Sequence, residues 1–426
     1  MERVLLSFIG TGNYQPCIYV WGDHRCKTPY FQEAAVRFFN PDQCLVLMTE
    51  MAQKKHGAAL RRRIKRIVYQ RSKKARAACN SKNALRKRIK RIVYRPVSIP
   101  DGRNEDELWA IFSALTDCIP EGATLIVDVT HGFRTQPMLA LAALCYLRVA
   151  RNVQIERIIY GAFEARHPDT SEAPVFDLTP FLTLIDWSVA AHQFIHYGQA
   201  NDLARLIREI HRLTYVEQAQ VQAQHAATAA SWLEGFARAL GLVRLAEVMT
   251  EHALRLPEAL ERMRQDVDQI ARLRPFGLLL DITAERARSL HHPDPLSLDG
   301  LRLQAELIRH LLNYGLVQQA VTVAREAIVT RYALDLGRDP LQEREAVEHE
   351  LGRLASGLQD PAVRAGYTPE THQLAELWNR LTNVRNDINH AGMRTNPETT
   401  NNLYRLASEC AEAAANWIAR DAHQPE

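Results

Sequence analysis

Three short stretches gather residues that could do chemistry. "DVTHGFR" (128–134) sets Asp128, Thr130, His131, Gly132 and Arg134 between an apolar strand pattern and a helix pattern. A helix beginning near Arg134 turns free backbone N–H groups and a positive dipole end toward that turn. Gly132 permits close backbone approach, Arg134 offers a phosphate fork, and Thr130 and His131 add hydroxyl and imidazole donors. The residue types read equally as a phosphate or nucleotide cradle and as a helix cap built by Asp128 and Thr130. "GTGNY" supplies Gly10, Thr11, Gly12 and Asn13 at the end of the first strand pattern. It has no third glycine and runs into another strand, so it is not the dinucleotide fingerprint. The third stretch is "RNDINH" (385–390), with Arg385, Asn386 and His390. Arg followed five positions later by His occurs three times, at 286–291, 344–349 and 385–390. Only the last has neutral amides around it and lies on a strongly helical pattern. Leu374, Leu377, Leu381, Val384 and Ile388 form its apolar stripe, so Arg385, Asn386 and His390 are expected on the open arc of a helix over 376–394.

These stretches need supports of two kinds. Up to about residue 180 the chain alternates strand patterns (3–10, 17–22, 44–50, 91–99, 124–130, 153–163) with helix patterns (29–39, after Thr49, 104–115, 136–150). Such alternation predicts a largely parallel α/β sheet with helices on both faces, with ligands beyond the C-terminal strand ends. Asn104 with Glu107 marks a helix N-cap. From about Asp186 onward the i, i+3, i+4 spacing dominates and strand patterns are hard to find, predicting an all-α half. The expected division is 1–185 and 186–426.

Bulk properties narrow the classes. A chain of 426 residues, 46% apolar and 24% charged, has room for two or three cored domains. Seven cysteines without a C-x-x-C pair indicate neither a zinc ribbon nor a disulfide framework. No signal-peptide pattern or run of about 18 apolar residues is found, so a cytoplasmic location without membrane insertion is expected. Residues 54–95 carry 18 Lys and Arg and no Asp or Glu; within them "ALRRRIKRIVY" (59–69) returns as "ALRKRIKRIVY" (84–94). This duplication reads either as a solvated basic surface or as a phosphate-backbone contact for RNA.

"SFIGTGNY", "DVTHGFR", "IYGAFEA" and "LIDW", together with "RNDINHAG", resemble the CRISPR-associated CARF–HEPN ribonucleases of type III immune systems. The first four cover most of residues 1–187; the last is a compact patch near the C-terminus. The resemblance implies a Rossmann-like CARF sensor followed by an all-α region ending in a HEPN domain. It implies a homodimer, or a higher oligomer, that cleaves single-stranded RNA when cyclic oligoadenylate binds, cyclic tetra-adenylate being the expected ring. Gly10, Thr11, Gly12, Asn13, Thr130, His131, Gly132 and Arg134 would hold that activator. HEPN chemistry uses no metal or cofactor: the RNA 2′-hydroxyl attacks the adjacent phosphate, leaving a 2′,3′-cyclic phosphate. Arg385 would stabilise the phosphorane, His390 would act as acid or base, and Asn386 would position one of them. On an ideal helix Arg385 and His390 stand about 140° apart, which favours a site shared by two subunits. The rival reading is a catalytically silent regulator with a helical dimerisation or nucleic-acid-binding half.

Overall fold

The computed structural model describes residues 2–77, 92–132 and 135–420, with the side chains of 71–77 left aside. The chain divides into two compact units, Met1–Thr183 and Leu184–Glu426. The first is built on a sheet of eight strands: β1 Arg3–Ile9, β2 Cys17–Trp21, β3 His24–Thr28, β4 Gln43–Met48, β5 Val93–Ser98, β6 Thr124–Asp128, β7 Gln154–Gly161 and β8 Glu172–Asp177. Their order is β3-β2-β8-β7-β6-β1-β4-β5. The β1 pairings with β4 and β6, and those of β4 with β5, β6 with β7 and β2 with β8, are parallel; β2–β3 and β7–β8 are antiparallel. The sheet is therefore mixed at one side, and strands β3 and β8 escape the sequence reading. The central strands are buried on both faces and read as continuous apolar runs: Val4, Leu5, Leu6 and Phe8, or Leu125, Ile126 and Val127, are fully buried. From β1 the chain first forms β2 and β3 at the far edge, then returns to place β4 and β5 on one flank of β1 and β6 on the other. The order reverses between β1 and β6, which makes a crevice at their C-terminal ends.

Helix Phe31–Phe39 covers one face, with Phe31, Ala34, Ala35 and Val36 fully buried. After Thr49, whose hydroxyl accepts the Ala52 N–H, comes a short helical turn and then a π-turn at Gln53–Gly57. Helix Ala58–Ala77 follows and contains the first copy of the repeat. It buries Leu60, Ile64 and Ile67 against the sheet, while Arg61, Arg62, Lys65 and Arg66 face solvent. Of the second copy only residues 92–94 are described. Asn104 caps helix Glu105–Cys118 as expected, accepting from the Glu107 N–H. The Glu107 carboxylate, however, accepts from the Gly102 and Arg103 N–H groups rather than from Asn104.

The second unit is helical throughout its described residues. Helix Val317–Asp335 is buried over most of its length, with Val321, Ala324, Ile328 and Val329 fully buried or nearly so, and it packs against helices Leu298–Asn313, Pro369–Asn389 and Thr400–Ile418. Burial on so many sides puts it at the centre of the bundle. Its one buried cation, Arg331, is fully engaged: it donates to the Ile418 and Arg420 carbonyls at 3.0 and 2.6 Å and to Asp335 at 2.9 Å. It thereby caps the C-terminus of helix Thr400–Ile418. No described helix is long and apolar enough to cross a membrane.

Candidate functional site

The crevice between β1 and β6 holds a cavity of about 460 Å³. Its walls include Gly10, Thr11, Gly12, Asn13 and Tyr14 from the turn after β1, and Thr130, His131 and Gly132 from the turn after β6. The candidate ligand residues of both turns thus meet in one place, with the Gly10 N–H donating to the His131 carbonyl at 3.1 Å. Arg134 lies outside the described residues. Helix Thr135–Ala150 starts next to it, close to the expected position.

The acid of the knot is a strut. Ser7 and Asp128 are neighbours in the parallel register of β1 and β6. Asp128 is fully buried, accepts the Ser7 hydroxyl at 2.6 Å and accepts the Thr130 N–H at 2.9 Å. Burial raises its pKa to about 6. The Thr130 hydroxyl accepts the Gly161 N–H at 2.8 Å, tying the turn to β7. His131 is likewise committed. Its Nε2 accepts the Phe31 N–H at 3.4 Å, so the proton sits on Nδ1, and its ring lies 4.2 Å from that of Tyr14. Burial lowers its pKa to about 4. The imidazole is neutral and forms wall, and the charge for an anion must come from elsewhere.

Several wall residues were not singled out in the sequence. Gly161 sits where an added Cβ would fall 2.5 Å from Phe31 and 2.8 Å from Tyr19, so only glycine fits. A Cβ on Gly12 would meet only Tyr14, at an ordinary 3.4 Å. Phe163 and Glu164 complete the rim; Glu164 accepts the Tyr160 hydroxyl at 2.9 Å, and the Arg166 guanidinium lies 4.1 Å over the Phe163 ring. Gly161, Phe163 and Glu164 fall inside "IYGAFEA", which was the available signal. Lys55 and His56 approach from the π-turn. His56 donates from Nε2 to the Gly12 carbonyl at 3.0 Å and accepts the Tyr30 hydroxyl at Nδ1, at 3.1 Å. No sequence pattern marks either one, because both belong to a basic run that reads as surface.

Asp128 and His131 give a pH test of this wiring. The neutral His131 contributes stability above its ordinary pKa of about 6.5, and that stability is lost as pH falls toward 4. Asp128 works the other way: its contribution is present below about 3.8 and is lost as pH rises through 6. The two oppose each other between pH 4 and 6. His131→Phe should leave strand protection falling with rising pH, and Asp128→Asn should leave it rising, each by on the order of 1–3 kcal/mol. Hydrogen exchange at Leu125, Ile126 and Val127, corrected for intrinsic rates, measures this. Slopes of the same sign in both variants would sink it.

In the second unit the predicted stripe is buried at Leu374, Leu377, Leu381 and Val384 and packed at Ile388. Arg385 and Asn386 lie side by side, with Arg385 Nη1 donating to Asn386 Oδ1 at 3.2 Å. The helix does not run to 394, however. It is Pro369–Asn389, with His390 as its C-cap, because Ala391 (φ 53) and Gly392 (φ 72) adopt left-handed conformations. His390 is exposed and sits on a turn, so an angle measured around an ideal helix does not describe its position relative to Arg385. Asp387, between them, is buried and accepts the Glu398 N–H at 2.9 Å, anchoring the returning loop. The other two histidines from the spacing search differ: His291 bonds the Met249 carbonyl at 2.9 Å, and His349 lies 4.0 Å from Glu345 on an exposed face. Among the described residues no group of three or more His, Cys, Asp and Glu is gathered as metal ligands.

The first unit is thus an α/β domain with its cavity at a strand-order reversal, and the second is a helical bundle. Residues 4–164 match the family described as CRISPR system endoribonuclease Csx1, CARF domain, and residues 183–285 match the second domain of CRISPR-associated protein MJ1674. The CRISPR-associated protein MJ1674 of Methanocaldococcus jannaschii is 28% identical over 109 residues, which cover 25% of this chain and 17% of that protein. The chain therefore aligns with well under two thirds of that relative. These matches support a CRISPR-associated protein with a CARF domain. Residues 385–390 lie beyond both matched stretches.

Proposed function

We propose that this protein is a metal-independent endoribonuclease that cleaves single-stranded RNA and is switched on by cyclic oligoadenylate held at the β1–β6 cavity. The observation that carries the reading is the convergence of Gly10–Asn13 and Thr130–Gly132 on one cavity, in a stretch similar to the CARF domain of an endoribonuclease family. Backbone N–H groups at the two turns and the start of helix Thr135–Ala150 suit an anionic ring, and Arg134 would add a bidentate fork. In the helical unit Arg385 would stabilise the charge that develops on the phosphorus oxygens during attack by the 2′-hydroxyl. His390, exposed at the helix end, would move the proton, and Asn386 would hold the Arg385 guanidinium through the contact already present. A homodimer would bring two such helix ends together and complete the ring site.

The test is RNA cleavage with and without cyclic tetra-adenylate and cyclic hexa-adenylate. Stimulation by either ring, with products ending in 2′,3′-cyclic phosphate, is the expected result. Arg134→Ala should weaken ring binding at least tenfold, about 1.4 kcal/mol, in calorimetry. Ring binding without cleavage would favour the silent regulator. No binding of either ring would overturn the sensor assignment.

A further inference from the structure

We infer that Lys55, carried on the π-turn Gln53–Gly57, is a second cation, besides the Arg134 proposed above, that meets a phosphate of the ligand in this cavity. The inference rests on the ring-sensing reading and extends it to a residue outside both strand-end turns. Lys55 Nζ lies 2.8 Å from the Thr11 carbonyl and 2.7 Å from Asn13 Oδ1. Both acceptors are neutral, and both belong to the loop lining the cavity. Its neighbour Lys54 is different: that ammonium pairs with Glu50 at 2.5 Å. Among the described residues Lys55 pairs with no carboxylate, so its charge is uncompensated beside the cavity mouth. An ammonium held by two neutral oxygens on a flexible four-carbon stem can exchange one of them for a phosphate oxygen, and the exchange adds charge to the contact.

The need for such a cation follows from the wall. His131, placed as a donor by residue type, is neutral and already accepts the Phe31 N–H. Burial, first of all, lowers the pKa of His56, and its two nitrogens are taken by Gly12 and Tyr30. The acid Glu164 stands at the rim. A polyanion entering here requires positive charge, and Lys55 is positioned beside the same loop that would touch it. The backbone supports this placement. A π-turn is an uncommon element that recurs at functional sites, and here it presents His56 inward and Lys55 along the loop. The ligand class is a nucleotide phosphodiester.

The test is calorimetric titration of the full chain with cyclic tetra-adenylate and with cyclic hexa-adenylate, repeated from low to high salt. Lys55→Gln keeps an N–H donor that can still tether Asn13 but removes the charge. It should bind at least tenfold more weakly than the parent, with a flatter salt dependence and an unchanged melting temperature. Lys55→Arg should stay within a few-fold of the parent. Parental affinity and salt dependence in Lys55→Gln, or equal weakness in Lys55→Arg, overturns the assignment to Lys55 and leaves the ring-sensing reading standing. A parent protein that binds neither ring overturns that reading, and this inference with it.

Discussion

His390→Ala is expected to cleave RNA, in the presence of activator, at least about 100-fold more slowly than the parent, the usual loss when a positioned proton-transfer group is removed. The expectation stems from the place of His390 in the fold. Its side chain is exposed on the C-cap of helix Pro369–Asn389, and its backbone N–H is already bonded to Asn386. Truncating it leaves the buried stripe at Leu377, Leu381 and Val384 untouched, so melting temperature and ring affinity should stay near parental values. His291→Ala and His349→Ala, which share the spacing but not the setting, should remain within a few-fold of the parent in turnover. EDTA should not inhibit. Parental cleavage by the His390 variant, or its arrest by EDTA, would falsify the catalytic assignment and return the silent-regulator or metal-enzyme readings to consideration.

Gly161→Ala is expected to damage the first unit through one added methyl group. The new carbon would fall 2.5 Å from Phe31 and 2.8 Å from Tyr19. Neither ring can withdraw, since Phe31 and Tyr19 are fully buried and pack edge to face with centroids 4.9 Å apart. Overpacking of this kind costs about 1–3 kcal/mol, or roughly 2–12 °C of melting temperature for a unit of this size. Displacing Phe31 also moves the N–H that holds His131, so ring binding should fall along with stability. Gly12→Ala is the contrasting control, because its methyl group would meet Tyr14 at ordinary contact distance and the fold should persist. Thermal denaturation of both variants decides the point: if Gly161→Ala melts at the parental temperature, the close approach is not a real constraint.

What the sequence could reveal depended on how each element is stabilised. Strands buried on both faces, such as Val4–Phe8 and Leu125–Val127, announce themselves as apolar runs. Strand β3 buries only Cys26 and Thr28 while His24, Arg25 and Lys27 stay exposed, and β8 includes Pro174 and ends in Asp177. Such short strands at the mixed side of the sheet look like loop. The two glycine-bearing turns were legible as a site because each carries its own polar residues. Gly161 was not, since its requirement comes from Phe31 and Tyr19, far away in the chain. The end of helix Pro369–Asn389 was misplaced for a different reason: the apolar stripe stops at Ile388, and the stop mark is Gly392, which turns left-handed with Ala391 outside that stripe. His131 shows the limit of residue type most directly, because a histidine at a strand end reads as a donor until its partner is seen.

The π-turn at Gln53–Gly57 has an evolutionary meaning. Closing hydrogen bonds from i to i+5 instead of i to i+4 lets one turn hold an additional residue without rotating what precedes or follows it. Here the Thr49 cap stays in place on one side, and the Leu60, Ile64 and Ile67 face stays against the sheet on the other. The one-residue surplus of this turn brings Lys55 and His56 to the loop after β1. A lineage lacking that residue could keep a regular helix and the same buried face while losing both contacts. Should Lys55 meet the ligand as proposed, losing a single codon from a helix outside both sequence motifs would then be enough to change ligand preference.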